Sequence, residues 1–279
     1  MLKTSILVGL TLLAFSGNSL LTRYALLGER ISPEEFGLLR LASGAAVLLL
    51  ISAVRGAKLL PRARDLPGAA SLFVYVAAFS LAYVALDAGL GALVLFGAVQ
   101  LTTIGWGLAR GERLGPVGAA GILVALGGLL WLLKPEQGGA PLWAMLLMLI
   151  AGAGWGVYTL LGRGSDDPVA RNARNFALAS VPATLLAVLL SEGQPMTTEG
   201  AMLAILSGSV TSGLGYALWY QVLPKLSSLT AGTVQLLVPP MTAGLGALLL
   251  SEAISVRFIL ASALILGGVL MTFRTQKEG

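Results

Sequence analysis

The feature that most constrains this chain is the recurrence, from one end to the other, of apolar runs about twenty residues long, the length a helix needs to cross a hydrocarbon layer. Runs bounded by charge, Gly or Pro fall near residues 4–27, 33–54, 67–87, 90–109, 115–133, 140–163, 168–191, 198–222, 227–249 and 255–273. In lipid each backbone N–H and C=O needs a partner within its own segment, so each run reads as a helix. Composition excludes a soluble core: 56% of residues are hydrophobic and 11% charged, where a soluble domain carries about 25% charged residues. The expected class is an all-α membrane protein with ten transmembrane helices. Met1 to Lys3 followed by Thr4 to Leu27 has the charged start of a signal peptide. Its apolar stretch is long and has no clear small-x-small cleavage site, so it reads as a retained first helix.

The net charge of +5 raises nucleic acid as a partner, but the basic residues are spread among short loops instead of gathered on one face, which argues against it. Their distribution sets orientation, because Lys and Arg in short loops stay cytoplasmic. Thirteen of the eighteen lie at the termini or in alternate loops: Lys3, Arg55, Lys58, Arg62, Arg64, Arg110, Arg113, Arg163, Arg171, Arg174, Lys225, Arg274 and Lys277. The opposite loops hold Arg30, Lys134 and Arg257, and Arg23 and Arg40 lie within helices. Both termini are therefore expected in the cytoplasm, with the lipid bilayer of a bacterial inner membrane as surroundings. Without Cys or His, disulfides, thiol chemistry and imidazole chemistry are excluded. Without HExxH or paired midplane aspartates, nothing signals an intramembrane enzyme, and neither cofactor nor metal is expected.

Self-similarity at a constant separation of 140 residues divides the chain into 1–135 and 140–279. Leu20, Leu21 and Arg23 match Leu160, Leu161 and Arg163; Phe36 and Leu38 match Phe176 and Leu178; Glu112 matches Glu252. Gly127, Gly128, Leu130 and Lys134 match Gly267, Gly268, Leu270 and Arg274. Five helices per half is an odd number, so the second half enters the bilayer from the other side. Inverted repeats of this kind serve alternating access in secondary transporters. Duplication of a purely structural bundle is the competing reading.

Gly215-Tyr216-Ala217-Leu218-Trp219-Tyr220, then Val234-Gln235-Leu236-Leu237-Val238-Pro239, then Leu250-Ser251-Glu252 and Leu266-Gly267-Gly268-Val269-Leu270 follow one another in the second half. In order and spacing this resembles the C-terminal repeat of the EamA-type, ten-helix branch of the drug/metabolite transporter superfamily. The first half agrees through Arg40, Gly111-Glu112-Arg113 and Gly127-Gly128, and departs at Val99, which stands where the second half has Pro239. The resemblance covers nearly the whole chain. It implies export of amino acids, aromatic ones included, or of other metabolites, and a cavity between helices one, three, four, six, eight and nine.

Polar side chains near helix midpoints should face such a cavity. Ser80, Tyr83 and Asp87 share one face of helix three, with Tyr75 and Phe79 beside it; packing and an interfacial tyrosine would give the same pattern. Gln100 and Thr103 in helix four and Gln235 and Pro239 in helix nine either contact a ligand or join helices. Pro239-Pro240 is expected to bend helix nine. Phe15 and Asn18 in helix one, Trp155 and Tyr158 in helix six, and Ser212, Tyr216 and Trp219 in helix eight follow helical spacing, either as cavity wall or as packing. Glu112 and Glu252 are expected to cap helices five and ten. Arg23 and Arg40, toward outer helix ends, are expected to snorkel or to pair with acids such as Asp87 as a gate. Gly121, Gly127 and Gly128 suit close packing of helix five on helix ten.

No acid falls at a predicted helix centre, so tight proton coupling is disfavoured. The expectation is a facilitator that moves a small neutral substrate, an amino acid foremost, through an aromatic, uncharged cavity. A proton-coupled drug or metabolite exporter is the alternative, and a non-transporting scaffold the alternative of another class. Two repeats enclosing one path suggest a functional monomer.

Overall fold

Apolar segments close their backbone hydrogen bonds on themselves, and the computed structural model shows ten helices and no strand among the residues it describes. Those residues are 2–111, 115–134, 139–162, 165–191, 193, 196–223, 226 and 234–274. The helices are α1 (Leu2–Leu27), α2 (Pro33–Val54), α3 (Leu66–Tyr83), α4 (Ala88–Ala109), α5 (Pro116–Leu133), α6 (Leu142–Gly162), α7 (Pro168–Leu190), α8 (Thr198–Val222), α9 (Val238–Leu250) and α10 (Val256–Arg274). The first eight are long and apolar enough to span a membrane; α9 and α10 are shorter apolar helices. Local signals fix several starts. Ser32 accepts from the Glu35 N–H at 3.2 Å while the Glu35 carboxylate accepts from the Ser32 N–H at 3.4 Å, and Pro33 opens the helix. Asp167 and Thr197 cap α7 and α8 in the same sense, accepting from Ala170 and Gly200.

Three expected helices differ from the sequence reading. The third ends at Tyr83, not 87; a turn follows, and Asp87 becomes the N-cap of α4. The Tyr83 hydroxyl donates to the Ala88 carbonyl at 3.1 Å and ties that turn shut. Within α8, residues Ser207–Leu214 widen into a π-helix, where the run Ser-Gly-Ser-Val-Thr-Ser-Gly offers small side chains and hydroxyls. Helix nine is expected from 227, but 227–233 lie outside the described residues. Val234 and Gln235 form a helical turn, the path breaks at Leu236 and Leu237, and α9 starts at Val238. Pro239 and Pro240 occupy its first turn, where a missing N–H is tolerated, and neither supplies a donor to the carbonyls of Gln235 or Leu236.

Successive helices run up and down, so one end of the bundle gathers the ends of α1, α3, α5, α7 and α9 with the starts of α2, α4, α6, α8 and α10. Arg30 in the α1–α2 turn pairs with Glu199 at 2.9 Å, and Arg257 donates to the Lys134 carbonyl at 2.6 Å, both at this end. The principal packed pairs are α5 with α10, α2 with α7, α3 with α6, α2 with α8, α1 with α8 and α4 with α6, followed by α4 with α9, α3 with α7 and α1 with α9. Exchanging each helix for the one five places away turns this set into itself.

Backbones come closest where glycine allows it. A Cβ on Gly128 would lie 2.7 Å from the Leu264 Cβ and one on Gly121 2.8 Å from the Met271 Cβ, which seats α5 on α10; Gly127 meets nothing within 4 Å and takes no part, contrary to its expected role. Gly208 in the π-helical stretch is tighter: a Cβ there would collide with the Ser43 hydroxyl and the Arg40 carbonyl of α2. Gly208→Ala is therefore expected to destabilise by about 1–3 kcal/mol through overpacking, whereas Gly127→Ala should be neutral or gain up to about 1 kcal/mol from the lost glycine entropy. Thermal unfolding of the two variants in the same detergent checks the contrast; equal melting shifts would remove Gly208 as the spacer between α2 and α8.

Candidate functional site

The close approach at Gly208 brings Ser212, one turn on, against Arg40 of α2. The Arg40 Nε donates to the Ser212 hydroxyl at 2.9 Å, and Nη2 donates to the Tyr75 hydroxyl at 2.8 Å and to the Tyr216 hydroxyl at 3.4 Å. The guanidinium carbon lies 5.0 Å from the ring centres of both Tyr75 and Phe79. The residue is wholly buried, about 10 Å along α2 from Pro33 at the usual helical rise. Arg40 therefore does not snorkel: hydroxyls and ring faces inside the bundle hold it where interfacial water was expected to.

Tyr75 and Tyr216 also face the centre of the bundle. With Phe15, Asn18, Ser19, Phe79, Leu95, Phe96 and Trp155 they line a chamber of about 10 Å³, room for one water. Ring contacts make its wall continuous: Trp155 lies 4.7 Å from Tyr216, 5.1 Å from Tyr75 and 6.0 Å from Phe15, and Phe15 lies 6.0 Å from Trp219. Asn18 spans the chamber's polar side, donating to the Tyr75 hydroxyl at 3.3 Å and accepting from the Ser207 hydroxyl at 2.8 Å. The wall is aromatic as expected, but with a cation directly behind it the surroundings are not uncharged.

About five residues beyond Asn18 along α1, Arg23 forms a second cluster. Its Nε pairs with Glu252 at 3.3 Å, Nη2 with Asp87 at 3.3 Å, and Nη1 donates to the Tyr83 and Val84 carbonyls, both at 3.1 Å. Glu252 additionally accepts from the Ala88 N–H, at 3.0 and 2.9 Å to its two oxygens. It thus caps α4, not the tenth helix it precedes in sequence, because the chain reverses at Ser251 (φ 56°) and turns the carboxylate across the bundle. Asp87 and Glu252 also line a cleft of about 350 Å³ open at this end, with Lys134, Met145, Arg257 and Phe258 among its walls.

The other expected site residues divide by placement. Trp219 and Ser212 join the central cluster. Ser80 is buried toward Gly37 of α2, with its hydroxyl unpaired. Tyr83 serves the α3–α4 turn, and the Tyr158 hydroxyl donates to Asn172 of α7. The Thr103 hydroxyl donates to the Gln100 carbonyl within α4 at 2.9 Å. Gln100, Gln235 and Pro239 are buried, and none lines the chamber. Glu112 lies outside the described residues. Sequence reasoning missed Phe96, one turn before Gln100 and on the same stripe, and Ser207, signalled only by the hydroxyl-rich run. It also missed the buried pair at the opposite end of the bundle, Arg174 with Asp65 at 2.7 Å, since both read as loop charges.

One family description, "EamA-like transporter family", matches residues 142–274. An uncharacterised protein of Pseudomonas aeruginosa is 49% identical, over 99% of this chain and 98% of its own length. The chain belongs to the EamA-like transporter family. An uncharacterised transporter of Bacillus subtilis is 24% identical over 88% of this chain and 90% of its own length, and one of Archaeoglobus fulgidus is 24% identical over 76% and 79%. A solved crystal structure aligns over 99% of both chains with a TM-score of 0.68 at 20% identity, a likeness of fold. The chain is accordingly a multi-pass membrane protein of a transporter family, consistent with the resemblance to the drug/metabolite transporter superfamily.

The arginine cluster of this EamA-like protein has a pH signature. Burial pushes the Glu252 carboxyl above the usual glutamate value of 4.5, and the Asp87 charge adds to that, against the Ala88 N–H and Arg23. A carboxyl whose pKa is raised on folding contributes stability that is present below its unfolded pKa and lost as pH rises through the folded one. Acidification from neutral pH toward 4.5 should thus raise the melting temperature of the native protein relative to Glu252→Gln. A difference between the two that stays constant across that range would show Glu252 is not the group responsible.

Proposed function

We propose that this EamA-like protein is a secondary transporter that moves small metabolites, amino acids including aromatic ones foremost, across a bacterial inner membrane by alternating access. The observation that carries the reading is an aromatic chamber next to a charged cluster: Arg23, one turn beyond the chamber residue Ser19 on α1, pairs with Glu252 and Asp87, which line the 350 Å³ cleft, and we read this cluster as a lock between the two spaces. Breaking the lock joins the two spaces. The two halves, 1–135 and 140–279, act as inverted repeats, a reading supported by the 140-residue self-similarity and by a packing pattern unchanged when helices are exchanged five places apart. The distribution of Lys and Arg puts both termini in the cytoplasm and the lock on the outer face. One chain encloses the whole path, so the monomer is the working unit.

Among the described residues no carboxylate lines the chamber, which supports a facilitator over tight proton coupling. Proton-coupled export of a drug or another metabolite is favoured by one observation, the raised pKa of Glu252 at the lock. Proteoliposomes holding the purified protein separate the two. Saturable exchange of labelled phenylalanine and leucine without a pH gradient is expected, with Trp155→Ala lowering apparent affinity by about tenfold, the loss of roughly 1.4 kcal/mol of ring contact. Uptake that strictly requires a gradient would establish coupling, with Asp87→Asn and Glu252→Gln locating it. No transport of any amino acid, nucleoside or dye would overturn the reading.

A further inference from the structure

Among the described residues Arg40 has no counter-ion. Ion pairs among the described residues join Arg23 to Asp87 and Glu252, Arg30 to Glu199, and Arg174 to Asp65; Arg40 has no carboxylate within pairing distance. Its exposure is 0%, and its Nη1 has no hydrogen-bond partner among the described residues. A guanidinium keeps its proton in any protein environment, so the bundle holds a full positive charge near its middle. Neutral hydroxyls and ring faces offset only part of the desolvation cost of such a charge, which is several kcal/mol for an unpaired ion. Deep intramembrane cations of this kind mark ligand paths.

The surroundings define the anion that would complete the site. Guanidinium presents a planar fork of donors that matches a carboxylate two bonds at a time. Nε and Nη2 are engaged by the Ser212, Tyr75 and Tyr216 hydroxyls while Nη1 is open, and Tyr75 and Tyr216 are themselves chamber wall. A carboxylate that displaces the tyrosine hydroxyls gains the fork from the chamber side. The remaining wall is rings and an aliphatic side chain, Phe15, Phe79, Phe96, Trp155 and Leu95, with Asn18 and Ser19 as its other polar groups. Among the described residues nothing acidic lines it to meet an ammonium group.

We propose that Arg40 is the carboxylate-recognition residue of the central chamber, and that its ligands are aromatic or large apolar carboxylates selected by the carboxylate and not by the amine. The inference rests on reading the chamber as the substrate site. It makes the amine of an amino acid dispensable. In the conformation described, with room for one water, the ligand enters only as Tyr75 and Tyr216 move away from Arg40.

Titration of the purified full-length protein with phenylalanine, 3-phenylpropionate, 3-phenylpropionamide and phenethylamine, followed by calorimetry, tests this. The two carboxylates should bind, and the amide and amine should bind at least about tenfold more weakly, the loss of one charge-assisted pair. Arg40→Lys should weaken the carboxylates while keeping their preference over the amide, and Arg40→Met should erase that preference. If Arg40→Met does not give a monodisperse protein, the ligand series on the native protein still decides. Binding of the amine or amide as tightly as the carboxylates, sulfate competing as well as 3-phenylpropionate, or no binding of either carboxylate would overturn the proposal. Vesicle uptake keeps this distinct from the transport reading. Carboxylates that bind but never cross the bilayer sink transport and leave Arg40 standing, while transport of aryl amines with no carboxylate preference does the reverse.

Discussion

A guanidinium buried among helices cannot shed its charge, and three of them, Arg23, Arg40 and Arg174, dictate what must gather around them in this bundle. Arg174 ties the start of α7 to Asp65 and to the Lys58 carbonyl at one end. Arg40 ties α2 to α3 and α8 in the middle, and Arg23 ties α1 to the α3–α4 turn and the α9–α10 connection at the other end. Each set joins segments far apart in sequence at a different depth. Apolar packing between helices in lipid has little to distinguish one register from another, since lipid tails are as apolar as leucine. A misplaced helix that strands a cation loses several kcal/mol. Well-packed apolar residues often replace such buried pairs at no loss of stability, so the arginines are better explained by register and function than by stability.

The ten helices were legible because their cause is local: each apolar run is long enough to span, and each closes its hydrogen bonds internally. Starts at Ser32, Asp167 and Thr197 follow from caps that lie beside the residues they cap. What escaped depends on contacts between distant segments. Glu252 stands just before the tenth helix, yet it caps α4, because α4 and the α9–α10 connection meet only in the folded bundle. Arg40 sits seven residues from a helix start, a depth from which an isolated helix lets the side chain reach water, and three hydroxyls on two other helices hold it inside instead. Ser80 and Tyr83 lie beside Tyr75 and Phe79 on α3, but a face wide enough to hold them touches more than one neighbour: Ser80 meets α2, Tyr83 meets α4, and Tyr75 and Phe79 reach the chamber. Aromatic spacing did lead to the wall, since Phe15, Trp155, Tyr216 and Trp219 are neighbours in space.

The polar centre is built from residues that have no like counterpart in the other half of the sequence. At a separation of 140 residues Arg40 corresponds to Ser180, Tyr75 to Gly215, and Tyr216 to Val76, while the scaffold glycines at 128 and 268 correspond to each other. Gly128 and Gly268 both set the spacing of the α5–α10 seam, which uses one surface from each half, whereas Gly121 has Ala261 as its counterpart. A ligand at the centre is under no such demand. On the proposed reading, an asymmetric ligand in a pseudo-symmetric bundle needs one charged contact, not two, and a second buried cation opposite Arg40 would add its own desolvation cost without a partner. The same reasoning gives the aromatic pair Phe15 and Trp155 its partial match: both positions keep a ring, which suits a flat apolar ligand from either side. Trp155, with the larger ring, makes the contacts to Tyr75, Tyr216 and Tyr158 that close the wall. The unmatched residues Arg40, Tyr75 and Tyr216 are thus the ones that the proposed carboxylate ligand, which does not share the symmetry of the bundle, would meet.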